Sequence, residues 1–148
     1  MRNIFEGIPG FEDFRSLTVI DSLTYSGNLD NLAPVSLDSR LKVVIASIND
    51  SSAVQEVMNN QDFVFNFAAE SHVDRSIDDA SNFIETNIKG TFHVLDQALK
   101  KSVKKVIHIS TDEVYGSIPN GKFVETSNLE PNSPYAASKA SSDLIARS

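Results

Sequence analysis

The sequence predicts an α/β fold in which a parallel sheet is covered by helices on both faces. Short runs rich in β-branched and aromatic residues recur along the chain, and segments with apolar residues at helical spacing separate them. Polar or small residues follow three of these runs, at Asp21, at Phe67–Ala69 and at Ser110–Thr111. Because ligands bind beyond the carboxyl ends of parallel strands, we expect a site at that edge.

Four strands are expected, and each is short and apolar enough to be a buried parallel strand. They are Leu17–Asp21, Lys42–Ala46, Asp62–Phe67 and Val106–Ser110. After the second strand, Asn49 or Asp50 would cap a helix that carries Val54, Val57 and Met58 on one face.

A long helix is expected over 80–101, because apolar residues recur there at helical spacing. Gly90 lies inside it, where glycine costs stability unless another group packs closely. The polar segment 116–134 is expected to be a loop. Pro134 suits the start of a last helix, which would run to the end of the chain.

Composition disfavours several classes of protein. The length of 148 residues suits one domain over 1–148, and 41% hydrophobic with 22% charged residues is typical of a soluble globular protein. A net charge of −7 argues against nucleic acid and anionic membranes as partners. There is no cysteine and no apolar run that would span a bilayer, and the three histidines lack metal-ligand spacing. We expect a cytoplasmic protein without a metal site.

Tyr135 and Lys139 are four residues apart, so they share one face of the last helix. A lysine beside a tyrosine lowers the pKa of the phenol, which makes the phenolate a usable base near neutral pH. The same spacing also occurs in an ordinary amphipathic helix. Thr111, directly after a strand, would bind a substrate hydroxyl or simply cap a turn.

Asp112 and Glu113 are adjacent carboxyl groups. In a cleft, repulsion and desolvation leave one protonated, as an acid, and the other ionised, as a base. On a solvated turn the same pair has no catalytic role. Asp21 at a strand end suits a ribose-binding carboxylate, and Ala68 and Ala69 are small enough for a cofactor to lie against the backbone.

Together these motifs resemble one family. In chain order they are Phe-Ala-Ala-Glu-Ser-His-Val-Asp-Arg-Ser, Ser-Thr-Asp-Glu-Val-Tyr-Gly and Ser-Pro-Tyr-Ala-Ala-Ser-Lys. They are similar to the extended short-chain dehydrogenase/reductase superfamily and, within it, to the dTDP-glucose 4,6-dehydratases. The resemblance covers residues 17–148 and implies a Rossmann-like doubly wound sheet. Its specific part is Thr-Asp-Glu, because related epimerases and decarboxylases usually lack this acid–base pair.

The resemblance implies roles at matching positions. Tyr135 would take the proton of the sugar 4-hydroxyl while NAD takes the hydride from C4. Lys139 would hold the ribose and tune Tyr135, and Thr111 would orient the hydroxyl. Glu113 would remove the C5 proton, and Asp112 would protonate the leaving 6-hydroxyl. The hydride would then return to C6.

The resemblance also implies an NAD site, a nucleotide-sugar site for dTDP-glucose, and a homodimer formed through the long helix and the Tyr/Lys helix. Ser71 and Thr111 would contact the substrate. The cofactor residues would be Asp21, Ser22, Leu23, Thr24, Ser47, Ile48, Phe67, Ala68, Ala69, Glu70, Ser71, Thr86, Tyr135 and Lys139.

The chain departs from the family in three places. The family opens with a central strand and a Gly-x-x-Gly-x-x-Gly turn, whereas Gly7–Gly10 contains a proline that prevents a helix from following. Ser47 stands where the family has an aspartate that contacts adenine. The chain ends at Ser148, before the expected sugar-nucleotide domain.

These departures predict an incomplete sheet with open edges, marginal stability and no activity of this chain alone, as for a fragment. Arg2–Phe5 is a hypothetical replacement for the first strand. Two alternatives stay open at this point. One is a non-catalytic dimerisation partner or degenerate paralogue, and the other is a UDP-sugar dehydratase or epimerase.

Overall fold

The computed structural model describes residues 14–148, which divide into two compact units between Ser47 and Ile48. Each unit contains one pair of parallel strands, so the described strands form two two-stranded sheets. The hypothetical strand at Arg2–Phe5 and the turn at Gly7–Gly10 lie outside the described residues. The prediction of a single domain stays a prediction.

In the first unit, β1 (Leu17–Asp21) pairs with β2 (Leu41–Ile45). The register sets Leu17 opposite Leu41 and Asp21 opposite Ile45. Between the strands lies a 3₁₀ helix, Leu29–Val35, whose Asp30 N–H donates to the side chain of Asn28. Leu32 and Val35 of this helix are buried. The sequence did not predict the helix, because its apolar residues show no extended helical period.

In the second unit, β3 (Phe63–Asn66) pairs in parallel with β4 (Lys105–His108). Helix α1 (Ser51–Val57) begins at Asp50, which accepts from the N–H groups of Ser52 and Ala53 as predicted. A short helix, α2 (Val73–Asp78), follows β3 and was not predicted. Helix α5 (Pro134–Arg147) begins at the predicted proline.

The predicted long helix is built in three successive pieces. They are α3 (Ser81–Phe83), a π-helical segment (Ile84–Gly90) and α4 (Thr91–Lys100). A Cβ at Gly90 would lie 2.6 Å from Cδ1 and Cγ1 of Ile48, so glycine is needed for this close approach. The close packing that the sequence predicted around Gly90 is therefore present, and its partner is Ile48.

The core of the second unit lies between α1, the long helical stretch and α5. Its buried apolar side chains are Ile48, Val54, Met58, Phe83, Val94, Ala98, Val114, Tyr135, Ala136 and Ala140. Over residues 14–148, every helix is too short or too polar to cross a bilayer.

Candidate active site

A tight 3₁₀ turn after β4 presents the predicted triplet. Thr111 is extended and precedes the helix Asp112–Tyr115, where its Oγ1 accepts the Glu113 N–H at 3.3 Å. Gly116 ends the helix with φ of 83°, and a Cβ there would lie 2.2 Å from the Glu130 carbonyl oxygen. This conformation and this contact both require glycine.

Tyr135 lies in the first turn of α5 and is buried, with 9% of its surface exposed. Ser133 caps the helix by accepting the Ala136 N–H at 3.1 Å. The Tyr135 N–H donates to Ser76 Oγ in α2 at 3.1 Å, and its ring packs edge-on against Phe83. Two helices therefore hold the tyrosine in place.

Burial raises the pKa of Tyr135 above its ordinary value of 10.0, and a hydrogen bond with the Thr111 side chain opposes this change. The charges of Glu113 and Asp112 raise the pKa further. These influences require proximity, so the structure brings a hydroxyl, a phenol and two carboxyl groups together. The four residues come from a strand end and a helix start that are about twenty positions apart in sequence.

Lys139 lies one turn beyond Tyr135 and is 4% exposed. Its Nζ donates to the Ile109 carbonyl at 2.6 Å. Burial lowers the pKa of Lys139, and the nearby carboxylate of Asp143 raises it. The ammonium group is held at the end of β4, and the expected lowering of the Tyr135 pKa by Lys139 stays a prediction.

The loop after β3 is fixed by an amide that sequence reasoning missed. Asn87, in the π-helical segment, is 1% exposed. Its Oδ1 accepts the Glu70 N–H at 2.8 Å, and its Nδ2 donates to the Glu70 carbonyl at 3.0 Å and to Ser138 Oγ at 2.9 Å. The sequence signal that could have indicated this role is a polar residue on the inward face of a helix, between Phe83 and Thr91.

The predicted cofactor residues divide between the units. Phe67 and Ser71 are exposed, Ala68 donates to Asn66 Oδ1 at 3.3 Å, and Thr86 is half-buried beside Asn87. Ala69 is half-buried in the same loop.

Ile48 has a packing role, since it is buried against Gly90 and its carbonyl lies 3.1 Å from Nδ1 of His93. Its predicted contact with the cofactor stays a prediction.

In the first unit, Asp21 ends β1, and its Oδ1 accepts the Leu23 N–H at 2.7 Å. Leu23 has a φ of 49°, while Ser22 and Thr24 are exposed and Ser47 is half-buried. A cavity of about 120 Å³ opens beside Asp21. Within residues 14–148, no group of three metal-ligating side chains is present.

Parallel strands joined by helices, with a Tyr–Thr–acid cluster at a strand end, define a Rossmann-like α/β protein of the short-chain dehydrogenase/reductase superfamily. The chain belongs to the GDP-mannose 4,6-dehydratase family, whose model matches residues 12–148. This confirms the predicted fold class and the resemblance on which it rested.

Solved and curated relatives agree with this family. A dTDP-glucose 4,6-dehydratase from Streptomyces venezuelae, solved with NAD bound, is 55% identical with a TM-score of 0.88, covering 90% of this chain and 41% of its own. One from Streptomyces griseus is 50% identical over 138 residues, covering 93% and 42%. A UDP-N-acetylglucosamine 4-epimerase from Methanobrevibacter ruminantium is 32% identical, with a TM-score of 0.82, covering 88% and 41%. The chain thus spans about two fifths of the length of such relatives.

Proposed function

We propose that the chain carries the proton-transferring residues of a dTDP-glucose 4,6-dehydratase that uses NAD. The observation that carries this proposal is that the Thr111 side chain and the charges of Asp112 and Glu113 all act on the buried phenol of Tyr135. A hydroxyl-binding group, a base and an acid then lie close enough to act on one sugar ring. The Streptomyces dehydratases support the choice of substrate.

Each residue has one role. Thr111 holds the sugar 4-hydroxyl, and Tyr135 removes its proton as C4 is oxidised. Glu113 takes the C5 proton, which the 4-keto group has made acidic, and Asp112 protonates the 6-hydroxyl as it leaves as water. The chemistry that bound NAD would supply is reversible hydride transfer, from C4 and back to C6. Once the hydride has returned to C6, Glu113 returns a proton to C5, and the product is a 4-keto-6-deoxy sugar nucleotide.

The residues present fit NAD at two places. The exposed carboxylate of Asp21, beside a cavity, offers acceptor oxygens to ribose hydroxyls. The Lys139 ammonium, in contrast, is a buried hydrogen-bond donor at the end of β4. Micromolar binding of NAD in calorimetry, weakened in Asp21→Asn and Lys139→Met, is the expected result. Binding that ignores both substitutions, or no binding, would remove the cofactor from the proposal.

The reaction is best tested in a chimera, because the chain spans about two fifths of its relatives. Residues 105–147 replace the matching segment of the Streptomyces venezuelae enzyme. We expect dehydration of dTDP-glucose, with kcat lowered at least about 100-fold by Tyr135→Phe. A chimera that dehydrates equally well with Tyr135→Phe would contradict the assignment of the base.

A UDP-sugar substrate is the alternative within the superfamily, and the 4-epimerase relative supports it. Epimerisation eliminates no water, so an epimerase has no use for the acid–base pair of Asp112 and Glu113. In the same chimera, Asp112→Asn and Glu113→Gln distinguish a dehydratase from an epimerase. They abolish product formation by a dehydratase and leave the rate of an epimerase unchanged.

We also propose that two copies pair through α4 and α5, which pack against each other in one chain. Phe92 and Leu99 are seven residues apart on α4 and are 51% and 82% exposed, and Leu144 on α5 is 57% exposed. Large apolar side chains that are exposed on two helices packed against each other favour burial by a partner. The same surface supports the alternative of a non-catalytic partner or degenerate paralogue. Cytoplasmic location stays a prediction.

A further inference from the structure

Three consecutive residues at the end of β4 each contact one turn of α5. His108 Nε2 lies 3.1 Å from Ser142 Oγ, the Ile109 carbonyl accepts from Lys139 at 2.6 Å, and Ser110 Oγ donates to Asp143 at 2.5 Å. The helix residues occupy positions i, i+3 and i+4, which form one face. These contacts fix how α5 lies along the strand end.

The tautomer of His108 follows from its neighbours. Asn66 Oδ1 accepts the Ala68 N–H, so its Nδ2 is the atom that faces His108 Nδ1, at 3.3 Å. An amide nitrogen can only donate, so His108 Nδ1 must be unprotonated. Ser142 donates its single proton to the Lys139 carbonyl at 2.7 Å, which leaves its oxygen free to accept from Nε2–H.

The surrounding charges also favour a neutral ring. Burial lowers the pKa of His108, the charge of Lys139 lowers it further, and Asp143 opposes both. Lys139 and Asp143 face the ring from α5, whereas Asn66 from β3 and Thr91 from α4 contribute uncharged groups to the same cluster. A second proton, on Nδ1, would point at the Asn66 amide.

We propose that His108 is a positioning residue, which as a neutral imidazole protonated at Nε2 holds α5 on the end of β4. The helix carries Tyr135, and the strand end leads into Thr111, so this contact sets how the two groups meet. The inference rests on the proposed function only for the role of Tyr135. The test of the His108 proposal needs no turnover, so its failure is distinguishable from failure of the proposed dehydratase function.

The first measurement is ¹⁵N NMR of histidine-labelled full-length chain. We expect His108 to be in the Nε2–H tautomer at about pH 8 and to become charged only at a lower pH than an exposed imidazole does, because burial and Lys139 lower its pKa. Its signals are identified by their loss in His108→Gln. A proton on Nδ1, or a charged ring at neutral pH, would overturn the proposal without any variant.

The second measurement uses two substitutions that each keep one contact. His108→Gln retains a donor for Ser142, and His108→Asn retains an acceptor for Asn66 but cannot reach Ser142. Titration of ¹³Cζ-labelled tyrosine should give a wild-type pKa for Tyr135 in the Gln variant and a fall of roughly 0.5 or more in the Asn variant, as the phenol becomes hydrated.

Equal shifts in the two variants would mean that His108 only fills space, and no shift in either would mean that it does not position Tyr135. Both results overturn the proposal. If His108→Asn does not fold, Ser142→Ala removes the same contact from the helix side and carries the same expectation.

Discussion

Asn87 connects the loop after β3 to α5 through a single buried amide. Its three hydrogen bonds satisfy both backbone groups of Glu70 and the Ser138 hydroxyl. Asn87→Ala takes the amide partner from the Glu70 N–H and carbonyl, whereas the Ser138 hydroxyl still donates to the Tyr135 carbonyl, and each lost partner costs about 1–3 kcal/mol. We expect the free energy of unfolding in urea to fall by about 2–4 kcal/mol.

Asn82 is the matched control, since it lies in the same helical stretch and is exposed. Asn82→Ala should change the unfolding free energy by less than about 0.5 kcal/mol. Similar losses in both variants would show that the Asn87 amide has no special role in stability.

Tyr135 makes the free energy of unfolding fall with rising pH in the alkaline range. Its pKa is raised in the folded chain above the ordinary 10.0, so the folded state keeps a proton that the unfolded state releases. The contribution is fully present below about pH 10 and is lost as pH rises through the folded pKa. Lys139, whose pKa is lowered, acts with the opposite sign, so wild type and Tyr135→Phe must be compared directly.

We expect the alkaline loss of stability to be smaller in Tyr135→Phe than in wild type, measured by urea unfolding at a series of pH values. A wild-type slope in Tyr135→Phe would mean that the phenol titrates alike in both states.

At the scale of single residues, spacing predicted that Tyr135 and Lys139 share a helix face, because helical geometry alone decides it. It did not predict that the Lys139 ammonium lies on the Ile109 carbonyl. That partner comes from a different element, and only the packing of α5 against β4 selects it.

At the scale of elements, the close approach of the π-helical segment to Ile48 can be tested with a pair of substitutions. Gly90→Ala gains about 1 kcal/mol of helix propensity but overpacks against Ile48, which costs about 1–3 kcal/mol. The expected net result is a loss of about 1 kcal/mol in unfolding free energy.

In an Ile48→Ala background the two nearest atoms are removed and Asn49 Oδ1 still lies 2.9 Å from the added Cβ, so Gly90→Ala should cost less stability there than in the wild type. Equal effects of Gly90→Ala in both backgrounds would exclude Ile48 as the reason for the glycine. The same unfolding measurement serves for all four proteins of this cycle.

The four predicted strands and the capped helix α1 are confirmed because period and capping chemistry are local signals. The 3₁₀ helices and α2 were not predicted. These helices are at most seven residues long. Contacts with other elements hold them, such as the hydrogen bond from the Tyr135 N–H to Ser76, and no local pattern encodes such contacts.

At the scale of the whole molecule, the proposed pairing through α4 and α5 predicts that the chain is a dimer in solution. Leu99→Glu places a charge within that surface and should weaken dimerisation at least about tenfold, measured by sedimentation equilibrium. Leu37→Glu is the matched control, since Leu37 is 97% exposed and lies in the first unit. Equal association of both variants would exclude this surface.

The sequence by itself determined the α/β class, the strand positions and the family, because periodicity and motif order depend only on which residues follow one another. The roles of the site residues stay predictions. Only the tertiary structure decided that Asn87 is hydrogen-bonded to the loop after β3, and that residues 108–110 are hydrogen-bonded to α5. These contacts join residues 17 to 34 positions apart, and the packing of whole elements brings them together.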